Sequence, residues 1–164
     1  GLGGIMLAKA EQPAMLAAIA AACPGTALVP LIESARGLAA IDALAAAPGV
    51  LRLALGHIDL QLDLGVASGP DEAELAPARW SLVLASRCAG LAPPIDRAGF
   101  GGKLCIHPAQ VAGVHAAFCP SEAERAWARR VLDAAENAQG GVCSLEGRMV
   151  DAPVIALARR VLAD

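Results

Sequence analysis

The hydrophobic positions of this chain fall into short, nearly unbroken runs separated by alanine- and leucine-rich stretches. "GIMLA" at 4–8, "ALVPLIE" at 27–33 and "LRLALG" at 51–56 lack the in-and-out alternation of a half-exposed strand, so they read as strands covered on both faces. Between them the pattern predicts helices near 13–22 and 37–47, then a long helix within 71–89. Pro13 can open the first helix, "CPG" at 23–25 and "PGV" at 48–50 end helices, and Gly90 closes the long one. The order is βαβα, with strand starts (4, 27, 51) about 23 residues apart, which predicts a parallel α/β sheet or barrel, a (β/α)8 barrel first.

Beyond residue 90 the rhythm changes. "LAPPID" (91–96) reads as another strand end, yet "KLCIHP" (103–108) follows at once, whereas a parallel crossover needs about a dozen residues. Either the two pair antiparallel or a helical segment is absent between Asp96 and Lys103. A helix at about 108–117 follows, and Ser121 with Glu124 predicts a capping box opening a helix from 122 to about 138. "QGGVCSLEGRMVDAP" (139–153) reads as a glycine-bounded hairpin, before a last helix over 153–163 with Pro153 in its first turn. The expected organisation is a barrel portion over 1–118 and an arm of helices and hairpin over 119–164.

Composition narrows the function classes. Although 56% of residues are hydrophobic, no apolar stretch reaches the roughly 18–20 residues of a membrane span, and the start lacks a secretory n-region. The expectation is a cytoplasmic protein without a membrane partner. Thirteen Lys+Arg against sixteen Asp+Glu, with two Phe, two Trp and no Tyr, argue against nucleic acid. The five cysteines are scattered without zinc-site spacing, which predicts buried free thiols. Cys105 and His107 would share a strand face, but core packing explains them better than nucleophilic chemistry.

Acids at the carboxyl ends of barrel strands are candidates for chemistry. Glu33 ends the second strand, and Asp59 lies just past the third, beyond a Gly56 turn. Adjacent strands are about 5 Å apart, so the two could meet over the barrel mouth, and two hard oxygen ligands with open positions suit Mg²⁺. Plainer roles compete: Glu33 could complement a helix dipole, Asp59 could be an N-cap, and Asp63 reads as part of a solvated turn. His57 reads as a polar loop residue or substrate contact rather than a ligand.

Taken in order, "GIMLAKAEQP", "VPLIESARGL", "LALGHIDLQLDLG", "GFGGKLCIHPAQV", "FCPSEAERAWARRVLDA" and "GRMVDAPVIALARRVL" resemble the HpcH/HpaI aldolase and citrate lyase beta-subunit family of CoA-ester lyases. The resemblance implies a TIM barrel, of which this chain is roughly the C-terminal two-thirds plus an arm. It also implies Mg²⁺ and reversible carbon–carbon cleavage of a 3-hydroxyacyl-CoA of the malyl-CoA, citramalyl-CoA or citryl type. Glu33 and Asp59 match the family's metal ligands, Lys9 the lysine of its PKxE strand end, and Asp151 an active-site acid that often serves a neighbouring subunit. His57, Ile58 and Ser34 are expected to line the substrate. Partners would be an acyl-CoA or acyl-carrier thioester, a 2-oxoacid, and further copies of the chain in a trimer or hexamer. Ala8 replaces the proline usual before the lysine, and nothing matches the family's first strands or the arginine that grips the substrate carboxylate. The alternatives are a pyruvate-type class II aldolase acting on free hydroxy-oxoacids and a non-catalytic scaffold subunit.

Overall fold

The computed structural model describes residues 3–69, 71–96, 105, 108–138 and 143–163. They fall into two compact units, 1–106 and 107–164.

The first unit is α/β. Strands β1 (Ile5–Leu7), β2 (Leu28–Ile32) and β3 (Ala54–Leu55) form a sheet in that order. Both pairings are parallel, with Ile5 opposite Leu28, Leu31 opposite Ala54 and Ile32 opposite Leu55. Ile95 adds a parallel bridge to Ala54, with Leu55 N donating to Ile95 O (3.1 Å) and Ile95 N to Leu53 O (2.9 Å). "LAPPID" therefore does bring chain alongside β3. Parallel neighbours require crossovers, and helices supply them. These are α1 (Pro13–Ala22), then α2 (Ala35–Ala39) and α3 (Ile41–Ala45), then α4 (His57–Leu64), a 3-10 turn (Ala73–Leu75) and α5 (Ala76–Cys88). Leu16, Leu28, Ile32, Leu44, Leu53 and Leu82 are fully buried between these layers, which is why the strands read as unbroken apolar runs.

Three expectations need adjustment. The helix expected over 37–47 starts earlier and breaks at Ala40 (φ −96, ψ 8), a bend that lets Ile41, Leu44 and Ala45 reach the core. The strand expected over 51–56 shrinks to two residues, although Leu51 N still donates to Leu28 O (2.9 Å) and Leu53 is fully buried. Asp63 is not on a solvated turn but inside α4.

The second unit holds α6 (Ala109–Phe118), α7 (Glu122–Asn137), a hairpin of β4 (Cys143–Leu145) and β5 (Arg148–Val150), and α8 (Ala152–Ala163). Ala128, Val131, Val150 and Ala158 are its buried centre. The capping box forms: Ser121 Oγ accepts from Glu124 N (3.2 Å), and Glu124 Oε2 accepts from Ser121 N (2.7 Å). In the hairpin Leu145 faces Arg148 across Glu146 and Gly147, both with positive φ, the geometry of a tight turn matched to strand twist.

Cys23, Cys88 and Cys119 are free thiols as expected, but Cys88 and Cys119, at helix ends, are exposed rather than buried. His107 and the expected break between Asp96 and Lys103 lie outside the described residues.

Candidate active site at the strand ends

Because the strands are parallel, their carboxyl ends share one rim. Glu33 follows Ile32, Gly56 follows Leu55 and Asp96 follows Ile95. Glu33 is only 5% exposed. A Cβ added at Gly56 would stand 2.6 Å from both Cβ and Oε2 of Glu33, so the acid lies across the glycine and uses the space a side chain would fill. Gly56 N donates to Ile32 O (2.9 Å), which fixes the two strand ends against each other.

The carboxylate of Glu33 is held from the end of the first strand. Its Oε1 accepts from the backbone N–H of Lys9 at 2.7 Å. Lys9 has φ +47, a left-handed conformation that costs a non-glycine residue about 1 kcal/mol. That bend aims the Lys9 amide at the carboxylate, and Ala10 N closes it onto Leu31 O at 3.2 Å. The Lys9 side chain itself is exposed.

Ser34, 4% exposed, ties two strand ends together. Its Oγ donates to Glu11 Oε1 (2.7 Å) and accepts from Gly37 N (3.1 Å), capping α2. Gly37 is glycine for want of space, since a Cβ there would meet Ala10 O at 2.6 Å. Asp63 reaches from α4 to accept from Ala35 N at 2.7 Å, giving the same helix start a second acceptor.

Asp59 is exposed in the first turn of α4, three residues after Gly56, which occupies the N-cap position. Ile58 is 66% exposed. His57 Nε2 lies 3.5 Å from Glu72 Oε1. Glu72 Oε2 pairs with Arg79, whose Nε in turn bonds Asp96 Oδ2 at 2.6 Å. Burial works to lower the Arg79 pKa, but the hydrogen bonds and negative charges of Asp96 and Glu72 outweigh it and the net shift is upward. Glu72 and Arg79 escaped the sequence reading because nothing local marks them, although "PPID" did mark the strand end carrying Asp96.

The structure thus joins the Lys9 amide to Glu33 directly and sets Glu33 beside Gly56, where the helix carrying His57, Ile58 and Asp59 begins. Ser34, next in sequence to Glu33, is buried and holds Glu11 and Gly37. Asp151 lies in the second unit, exposed, with Oδ1 accepting from Val154 N (3.2 Å) at the start of α8. Among the described residues no group of three or more His, Cys, Asp or Glu side chains is arranged to hold a metal.

The sequence model of the HpcH/HpaI aldolase/citrate lyase family matches residues 3–98. The chain is 41% identical over 138 residues to a citrate lyase subunit beta-like protein of Deinococcus radiodurans, covering 71% of this chain and 49% of that protein. It is 32% identical to a (3S)-malyl-CoA thioesterase of Cereibacter sphaeroides, covering 97% of this chain and 64% of the relative. That alignment runs over 182 positions against the 164 residues here, so the relative carries segments this chain lacks. Among solved structures, the protein CitE of Mycobacterium tuberculosis in complex with magnesium, acetoacetate and coenzyme A superposes with a TM-score of 0.86 at 30% identity, covering 98% of this chain and 67% of CitE. The chain spans about half the length of the citrate lyase beta relatives it matches. With the family's sequence pattern running through more than half of its residues, the chain belongs to the HpcH/HpaI aldolase/citrate lyase family.

Proposed function

We propose that this chain carries the metal-binding part of a Mg²⁺-dependent carbon–carbon lyase that cleaves or forms a 3-hydroxyacyl-CoA of the malyl-CoA, citramalyl-CoA or citryl type. The observation that carries the proposal is the carboxylate of Glu33. It is buried at the rim of parallel strands, accepts one amide hydrogen bond on Oε1, and has no cationic side chain paired with it among the described residues. A buried carboxylate in that condition is costly unless a cation compensates it, and a hard divalent ion suits an all-oxygen donor set. The similarity to CitE, solved with magnesium, acetoacetate and coenzyme A, supports the same reading.

Glu33 and Asp59 would hold the ion, leaving positions for water and substrate. Magnesium supplies Lewis acidity toward the carboxylate and carbonyl oxygens of a 2-oxoacid. Lys9, exposed at the rim, contributes a positive charge for an anionic substrate, and its amide keeps Glu33 oriented. Ile58 and His57, in the first turn of α4, are assigned to contact the acyl portion. In cleavage the hydroxyl proton passes to a carboxylate base as the bond between the α-carbon and the hydroxyl-bearing carbon breaks, the electron pair of that bond becoming the thioester enolate, which is then protonated at carbon. Asp151, supplied by another copy in a trimer or hexamer, is assigned as the carboxylate base that takes that proton and returns it to the enolate carbon. The four parallel strand positions described belong in this reading to a (β/α)8 barrel, the outer edge of β1 being the place where a further strand would pair.

Thioester hydrolysis is a second reading, favoured by the similarity to (3S)-malyl-CoA thioesterase. Product analysis with malyl-CoA separates the two: cleavage gives acetyl-CoA and glyoxylate, hydrolysis gives malate and free CoA. We expect Mg²⁺-dependent cleavage, lost in Glu33→Gln at unchanged thermal stability. Full activity in that variant, or turnover without divalent metal, overturns the lyase assignment. Activity on a free 4-hydroxy-2-oxoacid but not on malyl-CoA would transfer it to the aldolase reading.

A further inference from the structure

We propose that Glu72 and Arg79 form a strut that sets His57 and the first turn of α4 over the strand-end rim, with Arg79 as a positioning residue acting through Glu72. The functional consequence rests on the lyase reading; the strut itself does not.

Arg79 extends from α5 and uses three of its nitrogens on two separate pieces of chain. Nε bonds Asp96 Oδ2 (2.6 Å) at the end of the strand position beside β3, Nη1 bonds the Glu72 carbonyl (3.0 Å), and Nη2 pairs with the Glu72 carboxylate. Asp96 is 2% exposed, so one end of the strut is anchored in the body of the unit. The other end is held at both backbone and side chain. Glu72 adopts φ +50, a conformation a non-glycine residue keeps only when its surroundings over-determine it, and Arg79 gripping both its carbonyl and its carboxylate does so. The second carboxylate oxygen, Oε1, is then presented to His57 Nε2 at 3.5 Å.

His57 is the first residue of α4, between Gly56, which accommodates Glu33, and Asp59. That helix has no side-chain cap at its start. Its orientation at the rim depends on contacts from elsewhere, and the Glu72 contact is one of them. A planar guanidinium with a fixed fork can span two carboxylates in this way; the ammonium of lysine cannot.

The test uses Glu72→Gln, Arg79→Lys and Arg79→Met in the full-length polypeptide, with hydrogen exchange at residues 60–62 and steady-state kinetics on malyl-CoA. Leu60 N donates to Gly56 O at 3.0 Å, so its exchange reports directly on the α4 start. We expect about tenfold faster exchange there in Glu72→Gln and Arg79→Met. The expected kinetic signature is a KM raised about tenfold with kcat nearly unchanged, and only partial recovery in Arg79→Lys. Glu72 sits in a loop, so its variant keeps the test decisive should Arg79→Met fail to fold. Wild-type exchange and KM in Glu72→Gln would overturn the strut, as would losses that merely follow melting temperature across the series. A wild-type protein inert toward malyl-CoA would refute the lyase reading, while the exchange data would still decide on the strut.

Discussion

At Gly56 a methyl group would stand 2.6 Å from both Cβ and Oε2 of Glu33, and the glycine is therefore part of the acid's setting. Gly56→Ala forces the carboxylate or the strand end to move. We expect it to cost about 1–3 kcal/mol of stability, read as a lower melting temperature, and to weaken Mg²⁺ binding at least about tenfold by calorimetry. Lys9 allows its two contributions to be separated. Glycine tolerates φ +47 and keeps the amide that holds Glu33, so Lys9→Gly should melt at or slightly above the wild-type temperature. If the ammonium serves the substrate, the same variant loses about tenfold or more in kcat/KM; unchanged kinetics would reduce Lys9 to its backbone. The sequence showed where Glu33 sits, because an apolar run stops there. It could not show what holds Glu33, since the Lys9 amide is 24 positions away and a backbone donor has no residue signature.

At the scale of elements, legibility followed how each segment buries itself. Helix α1 runs over 13–22, where Pro13 and an apolar stretch marked it, and the capping box at Ser121 was readable from two residues. Helix α4 was missed. Of its apolar residues Leu60 is buried, while Ile58 and Leu62 are 66% and 80% exposed, so its pattern carries no clean helical stripe. Asp63 was misplaced for the same reason, its partner Ala35 N lying 28 positions away. The capping box also gives a pH prediction. Hydrogen bonds from the Ser121 side chain first, and its backbone second, lower the Glu124 pKa. The box therefore contributes its full stability above the ordinary glutamate range and loses that contribution as the pH falls through the lowered value. Glu124→Gln should flatten this acid limb of the stability profile of the unit over 107–164, and Ser121→Ala should cost about 1 kcal/mol at neutral pH. An unchanged acid limb in Glu124→Gln would contradict the assignment.

For the whole molecule, the parallel sheet followed from runs too apolar to face water, and the family followed from the order of six short motifs. Neither pattern reveals the assembly around them. Asp151 illustrates the gap: its motif marks it, yet in this chain its carboxylate accepts from the amide of Val154. One divalent cation shared by Glu33 and Asp59 is the centre of the proposed chemistry. Calorimetric titration of Mg²⁺ into the wild type, Glu33→Gln and Asp59→Asn tests it most directly. Binding in the wild type, lost in each variant at unchanged melting temperature, is the predicted result; wild-type affinity in either variant would contradict it.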